Sequence, residues 1–73
     1  MNLQIITPGG IKHDGEVHRV QFRSATGLME VLDDHAPMVA ELRACQVTTD
    51  AGEFPCGNGV VKVENNEVKV VCE

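Results

Sequence analysis

The stretch Val60-Val61-Lys62-Val63-Glu64-Asn65-Asn66-Glu67-Val68-Lys69-Val70-Val71-Cys72 decides the fold class. Val61 and Val63, then Val68, Val70 and Cys72, fall in one phase of a two-residue period, with Lys62, Glu64 and Lys69 in the other. A strand sends successive side chains to opposite faces, so this pattern buries the valines and leaves the lysines and glutamates in water. Asn65-Asn66 separates the two halves, and asparagine tolerates the left-handed conformation that a two-residue hairpin turn demands. The segment reads as a β-hairpin.

Towards the N-terminus the same texture continues. Leu3 with Ile5 and Ile6, Val17 with Val20 and Phe22, Leu28 to Leu32, and Met38 to Leu42 are short apolar segments separated by turn residues. The breaks are Thr7-Pro8-Gly9-Gly10, Asp14-Gly15, Ser24-Ala25-Thr26-Gly27, Asp33 to Pro37, Asp50-Ala51-Gly52, Cys56-Gly57-Asn58-Gly59 and Asn65-Asn66. Each contains a residue suited to positive φ, a fixed proline φ or a self-bonding side chain. No window carries an apolar stripe of helical period over three turns. The expected fold is all-β, a small β-sandwich or flattened barrel of about eight to ten short, mainly antiparallel strands. Val17 and Val20 are three residues apart while Val20 and Phe22 are two apart, so putting all three inward predicts a bulge near His18-Arg19. Residues 1–73 form one domain on this reading, without an internal repeat or linker.

Only Phe22 and Phe54 are aromatic, so the core must come from Val, Ile, Leu and Met. A chain of this size buries only roughly 60% of the surface its unfolded form exposes, which points to a partner covering part of the remainder. Six basic residues against eleven acidic ones give a net charge of -5, and the basic residues are scattered. Binding to nucleic acid or to an anionic lipid surface needs concentrated positive charge, so both are excluded as functions. Cys45, Cys56 and Cys72 are odd in number and widely spaced, and no basic-then-apolar leader precedes them. The expectation is reduced thiols in a cytosolic chain, with no membrane-crossing segment.

Few residues offer chemistry. No Cys-x-x-Cys or closely spaced Cys/His pair seeds a metal site, and the cysteines read as small apolar fillers. Ser24, His35 and Asp33 could be named as a triad, but no nucleophile elbow surrounds Ser24. Gly57-Asn58-Gly59 has no lysine or helix start behind it to cradle phosphate. No cofactor and no active site are expected of this chain. One segment stands apart, Asp33-Asp34-His35-Ala36-Pro37-Met38-Val39, a turn in which two adjacent carboxylates are expected to act on the neighbouring His35 imidazole and Pro37 fixes the chain as it re-enters a strand.

Taken in order, Leu3-Gln4-Ile5-Ile6-Thr7-Pro8-Gly9-Gly10, Gly15-Glu16-Val17, Gly27, Leu32 to Val39, and Gly59 to Val70 resemble the N-terminal β-sandwich of the ε subunit of F-type ATP synthase. The resemblance covers essentially the whole chain. It implies a rotor component of the central stalk, seated on the γ subunit and touching the polar loops of the c-ring. It further implies a peripheral position at the cytoplasmic face of a bacterial inner membrane.

The resemblance carries His35, Ala36 and Pro37 over as partner-facing positions, and Glu30, Asp33 and Asp34 join them on physical grounds. Relatives commonly read Pro-Gly before His-Ala-Pro and Gly-Glu-Leu-Gly upstream. Here those positions are Asp33-Asp34 and Gly27-Leu28-Met29-Glu30, which relocates the acidic side chain to Glu30. Relatives also commonly continue into a two-helix hairpin that binds ATP, whereas this sequence ends at Glu73, so neither ATP binding nor a helical brake is expected of it. Two other classes are consistent with the residues alone. One is a free-standing interaction module binding through Gly27 to Val39, and the other is a metal or thiol enzyme using His13, His18, His35 and the cysteines.

Overall fold

The computed structural model describes residues 1–73. Nine strands follow one another: β1 Asn2–Thr7, β2 Gly10–Glu16, β3 Arg19–Ser24, β4 Gly27–Leu32, β5 Met38–Leu42, β6 Cys45–Thr49, β7 Gly52–Cys56, β8 Gly59–Glu64 and β9 Glu67–Cys72. They form two sheets, ordered β2-β1-β9-β8-β5 and β4-β3-β6-β7. The all-β sandwich expected from the sequence is the observed architecture.

The decisive hairpin has the register its alternation requires. Val61 opposes Val70 and Val63 opposes Val68, while Lys62 opposes Lys69. Asn65 and Asn66 take φ of 52° and 57°, the mirror-image turn that matches the twist of the flanking strands. Three further hairpins share another turn. Thr7, Ser24 and Thr49 each donate their hydroxyl to the carbonyl three residues on, Gly10 at 3.1 Å, Gly27 at 3.0 Å and Gly52 at 3.0 Å. Those glycines adopt φ of 125°, 124° and 132°, which side chains rarely occupy.

Between the sheets, Leu3, Ile5, Val61, Val68 and Val70 meet Val20, Phe22, Val31 and Val47, all essentially inaccessible to solvent. Each such side chain contributes about 1.5–3 kcal/mol relative to an exposed one. Cys56 and Cys72 are buried at one end of the same core, as fillers.

Three local expectations need correction. Val17, Val20 and Phe22 are all buried, but no bulge at His18-Arg19 puts them there. The chain instead leaves the five-stranded sheet after Glu16 and enters the four-stranded sheet at Arg19, so Val17 lies on the crossing between them. The Val17 N–H donates to the Met1 carbonyl at 2.9 Å, and Asp50 Oδ1 accepts from the His18 and Arg19 N–H groups at 2.9 and 3.1 Å. The register shift in this part of the molecule falls between Ile5 and Ile6, where β1 pairs with β2.

Asp14-Gly15, expected as a turn, is continuous strand paired with Gln4 and Leu3. Gly15 is tolerated because β2 is an edge strand. The turn at Arg43-Ala44, absent from the expected breaks, is held from outside. Arg43 N–H donates to the Arg23 carbonyl at 2.8 Å, and Ala44 N–H to Asn58 Oδ1 at 2.8 Å.

Candidate partner-binding site

The charged turn joins β4 to β5 and is anchored at its first half. Asp34 has φ of 59°, a left-handed conformation that an aspartate accepts at modest cost. Its N–H donates to Asn66 Oδ1 at 2.9 Å, which ties the turn to the tip of the β8–β9 hairpin. Asp33 is tied more strongly. Its Oδ1 accepts from the Met1 amine at 2.7 Å and its Oδ2 from His18 Nδ1 at 2.8 Å. The Met1 amine also donates to the Val17 carbonyl at 3.0 Å and to Glu16 Oε1 at 3.2 Å.

These contacts move the protonation equilibria in opposite directions. The hydrogen bond from the Met1 amine, then that from His18, holds the Asp33 carboxyl below the usual aspartate range. Asp33 in turn raises the Met1 amine and the His18 imidazole above their ordinary values. Asp50 is lowered mainly by the His18 backbone N–H that it accepts.

His35, Ala36 and Pro37 form the second half of the turn. His35 is half-buried and its Nδ1 donates to the Ala36 carbonyl at 2.7 Å, while Ala36 and Pro37 are exposed. That bond fixes the ring against the loop's own backbone and leaves the Ala36-Pro37 crest in solvent.

The six sequence-derived positions therefore separate. His35, Ala36 and Pro37 are a presented surface, Asp34 anchors through its backbone, and the exposed Asp33 carboxylate is engaged by Met1 and His18 of its own chain. Glu30 lies on β4 and accepts from Gln21 Nε2 at 3.0 Å on the outer face of the four-stranded sheet. The imidazole that meets a carboxylate here is His18 and not His35. The adjacency of Asp33 to His35 in sequence concealed this, because the partner comes from the crossing between the sheets.

The remaining reactive residues do not assemble. Ser24 is at the opposite end from Asp33, bonded to Thr26 and Gly27 within its own turn. Cys45 opposes Cys56 across β6 and β7, and the Cys56 thiol is pushed up to about 12 by burial and then by Cys72. A thiol so placed is a poor nucleophile near neutrality. His13 lays its ring against Phe54, with centroids 4.9 Å apart.

A feature not used in the sequence reading lies on the outer face of the five-stranded sheet. Ile11, Ile6, Val71 and Val60 are register partners across β2, β1, β9 and β8. Ile11, Val60 and Val71 are exposed by 61%, 47% and 50%. The signal was in the β8–β9 hairpin, where Val60 and Val71 occupy the phase otherwise held by lysine and glutamate.

Comparison with known proteins matches residues 1–73 to the family model described as ATP synthase, Delta/Epsilon chain, beta-sandwich domain. The chain is similar to the ATP synthase epsilon chain of Thermotoga maritima, at 30% identity over 77 residues, covering 100% of this chain and 71% of that one. It is also similar to the epsilon chain of Clostridium novyi, at 32% over 76 residues, covering 97% and 58%. The chain thus spans little more than half the length of the Clostridium relative. Among solved structures, a Tetrahymena thermophila mitochondrial ATP synthase central stalk/c-ring chain superposes with a TM-score of 0.85 at 13% identity, over 99% of this chain and 62% of that one. A chain of the Euglena gracilis mitochondrial ATP synthase superposes at 0.84 with 19% identity, over 96% and 48%. At such identities the superpositions establish a shared fold.

Proposed function

This chain belongs to the ATP synthase delta/epsilon β-sandwich family, and on that premise we propose that it is a non-catalytic central-stalk subunit of an F-type ATP synthase. It joins the γ subunit to the c-ring and turns with them. The observation that carries this reading is the family match along all 73 residues.

The chemistry required is mechanical. Of 42 backbone hydrogen bonds, 37 lie within the strand ladders, so bending the body means opening several bonds at once. The close-packed core between the sheets adds resistance, because such interiors compress little. His35, Ala36 and Pro37 contact a stalk partner, Asp33 and Asp34 hold that loop in position, and Glu30 supplies a separate acidic contact on β4. The chain itself has no active site and takes no cofactor. It is held at the membrane periphery, on the cytoplasmic face in a bacterium, through the complex.

Co-expression with the cognate γ subunit tests this. Co-elution in size-exclusion chromatography at equal stoichiometry is expected. A chain that elutes alone beside folded γ, or that recovers only proteins unrelated to ATP synthase from a lysate, overturns the proposal in favour of a free-standing interaction module.

A further inference from the structure

We infer that Cys45, Cys56 and Cys72 form an oxidation site, at which a low-molecular-weight disulfide reacting with Cys45 is converted into a Cys56–Cys72 bond that staples the two sheets together. The site is independent of the stalk assignment. Three free thiols from three strands converge on one end of the core. Cys45 and Cys56 face each other as register partners across β6 and β7. Cys56 is buried, as is Val47 two residues on from Cys45, so the strand period turns both thiols inward. Partners in an antiparallel ladder have Cα atoms about 4.5–5.5 Å apart, within the range of about 4.4–6.8 Å that a disulfide spans.

Cys72 comes from the other sheet, where it ends β9, and joins Cys56 in the same buried cluster. The residues that follow the two cysteines are bound to each other. Gly57 N–H donates to the Glu73 carbonyl at 3.2 Å, and Glu73 N–H to the Asn58 carbonyl at 3.0 Å. A Cβ at Gly57 would lie 2.6 Å from that Glu73 oxygen, so the approach needs a glycine. The thiols of Cys56 and Cys72 interact directly: after burial, Cys72 is the main influence that pushes Cys56 up to about 12. Cys56 is thus the common neighbour of the other two, and Cys45 is the one thiol partly open to solvent.

The chemistry is thiol–disulfide exchange in three steps. The Cys45 thiolate attacks one sulfur of RS–SR, forming Cys45–SR and releasing RS⁻, which takes up the proton Cys45 lost. Cys56 gives up its proton and attacks Cys45 Sγ, expelling the second RS⁻ and leaving a Cys45–Cys56 bond. Cys72 then attacks Cys56 Sγ, and Cys45 departs as a thiolate and is reprotonated. Two protein thiols are oxidised and RS–SR is reduced to two RSH. Attack by Cys56 is the slow step, because burial keeps that thiol protonated, although the Lys12 ammonium, which donates to the Pro55 carbonyl, acts the other way. Contact between the sulfurs offsets this, as groups held together react at high effective concentration. The final bond closes the longer loop and lies in the core, whereas a Cys45–Cys56 bond stays within reach of reductants at Cys45.

The test incubates the reduced, purified chain with oxidised glutathione, quenches with N-ethylmaleimide and maps peptides cut after lysine, arginine and glutamate, a digestion that separates all three cysteines. A linked Cys56–Cys72 pair with Cys45 alkylated is expected, together with a Tm higher by about 5 °C or more that dithiothreitol reverses. Cys45→Ser should slow formation of that bond by about tenfold or more without changing the product. Cys72→Ser should stop at Cys45–Cys56. Circular dichroism melts of the reduced variants confirm folding, and the wild-type map stands without them. A wild-type product that is only a glutathione adduct on Cys45, a Cys45–Cys56 bond or a disulfide between two chains overturns the site. An unchanged rate in Cys45→Ser overturns the entry through Cys45. Neither result bears on association with γ.

Discussion

Asp33 Oδ2 accepts a hydrogen bond from His18 Nδ1 at 2.8 Å, and this contact joins the β4–β5 loop to the point where the chain crosses between its sheets. It ties the position of the loop to the ionisation of both residues. The Met1 amine, 2.7 Å from the other carboxylate oxygen, holds the loop from the opposite side.

The pH dependence follows from the two opposed shifts. The raised His18 pKa adds stability that is complete below the unfolded value of 6.5 and disappears as pH rises through the folded one. The lowered Asp33 pKa adds stability that is present above 3.8 and disappears as pH falls through the folded one. His18→Gln should therefore lower Tm most between these limits and lose its effect in mildly alkaline buffer. Both side chains are exposed, so the difference is small and should fade in high salt. Thermal melts of both proteins at acidic, neutral and alkaline pH measure it.

Loop and core substitutions should separate binding from folding. Phe22 is 1% exposed between the sheets, and Phe22→Ala should cost about 3–5 kcal/mol, enough to unfold much of so small a chain. His35→Ala and Pro37→Ala should each change stability by less than about 1 kcal/mol and weaken association with γ or the c-ring instead. Urea denaturation paired with co-elution checks the contrast. A collapse of stability in Pro37→Ala would make the segment structural rather than partner-facing.

Gly59 should resist replacement for a steric reason. A Cβ there would run into the Val71 carbonyl oxygen and lie 2.6 Å from Cys72 Cα on the facing strand. Gly59→Ala should destabilise by about 1–3 kcal/mol, read as a lower urea midpoint, because β8 and β9 must move apart to admit it.

The thiols should label in an order set by burial. Cys45 is half-exposed, whereas Cys56 is buried and its thiol is pushed up to about 12 by that burial. Alkylation of the folded chain near neutral pH, read by mass spectrometry, should modify Cys45 first and Cys56 only slowly, with the difference removed in denaturant. Rapid labelling of native Cys56 would contradict its place in the core.

The family was legible before any coordinates, from the ordered run of strands and the His35-Ala36-Pro37 segment. The apolar row was legible too, since Val60 and Val71 break the polar phase of their hairpin, but its extent was not. Ile6 and Ile11 join it only through the pairing of β1 with β9 and with β2.

Alternation and turn chemistry, read along the chain, determined that this protein is all-β, that Val61, Val63, Val68 and Val70 face inward, and where the Asn65-Asn66 and Ser24-to-Gly27 turns fall. Those features depend on residues within a few positions of one another, whose steric and hydrogen-bonding preferences act locally. Only the tertiary structure decided the parallel pairing of β1 with β9, the crossing at Val17-His18, the Arg43-Ala44 turn and the partners of Asp33. Each is held by groups from distant segments, such as Asn58 for Ala44 and His18 for Asp33. No local preference encodes such contacts, because they form only once the two sheets have closed on their common core.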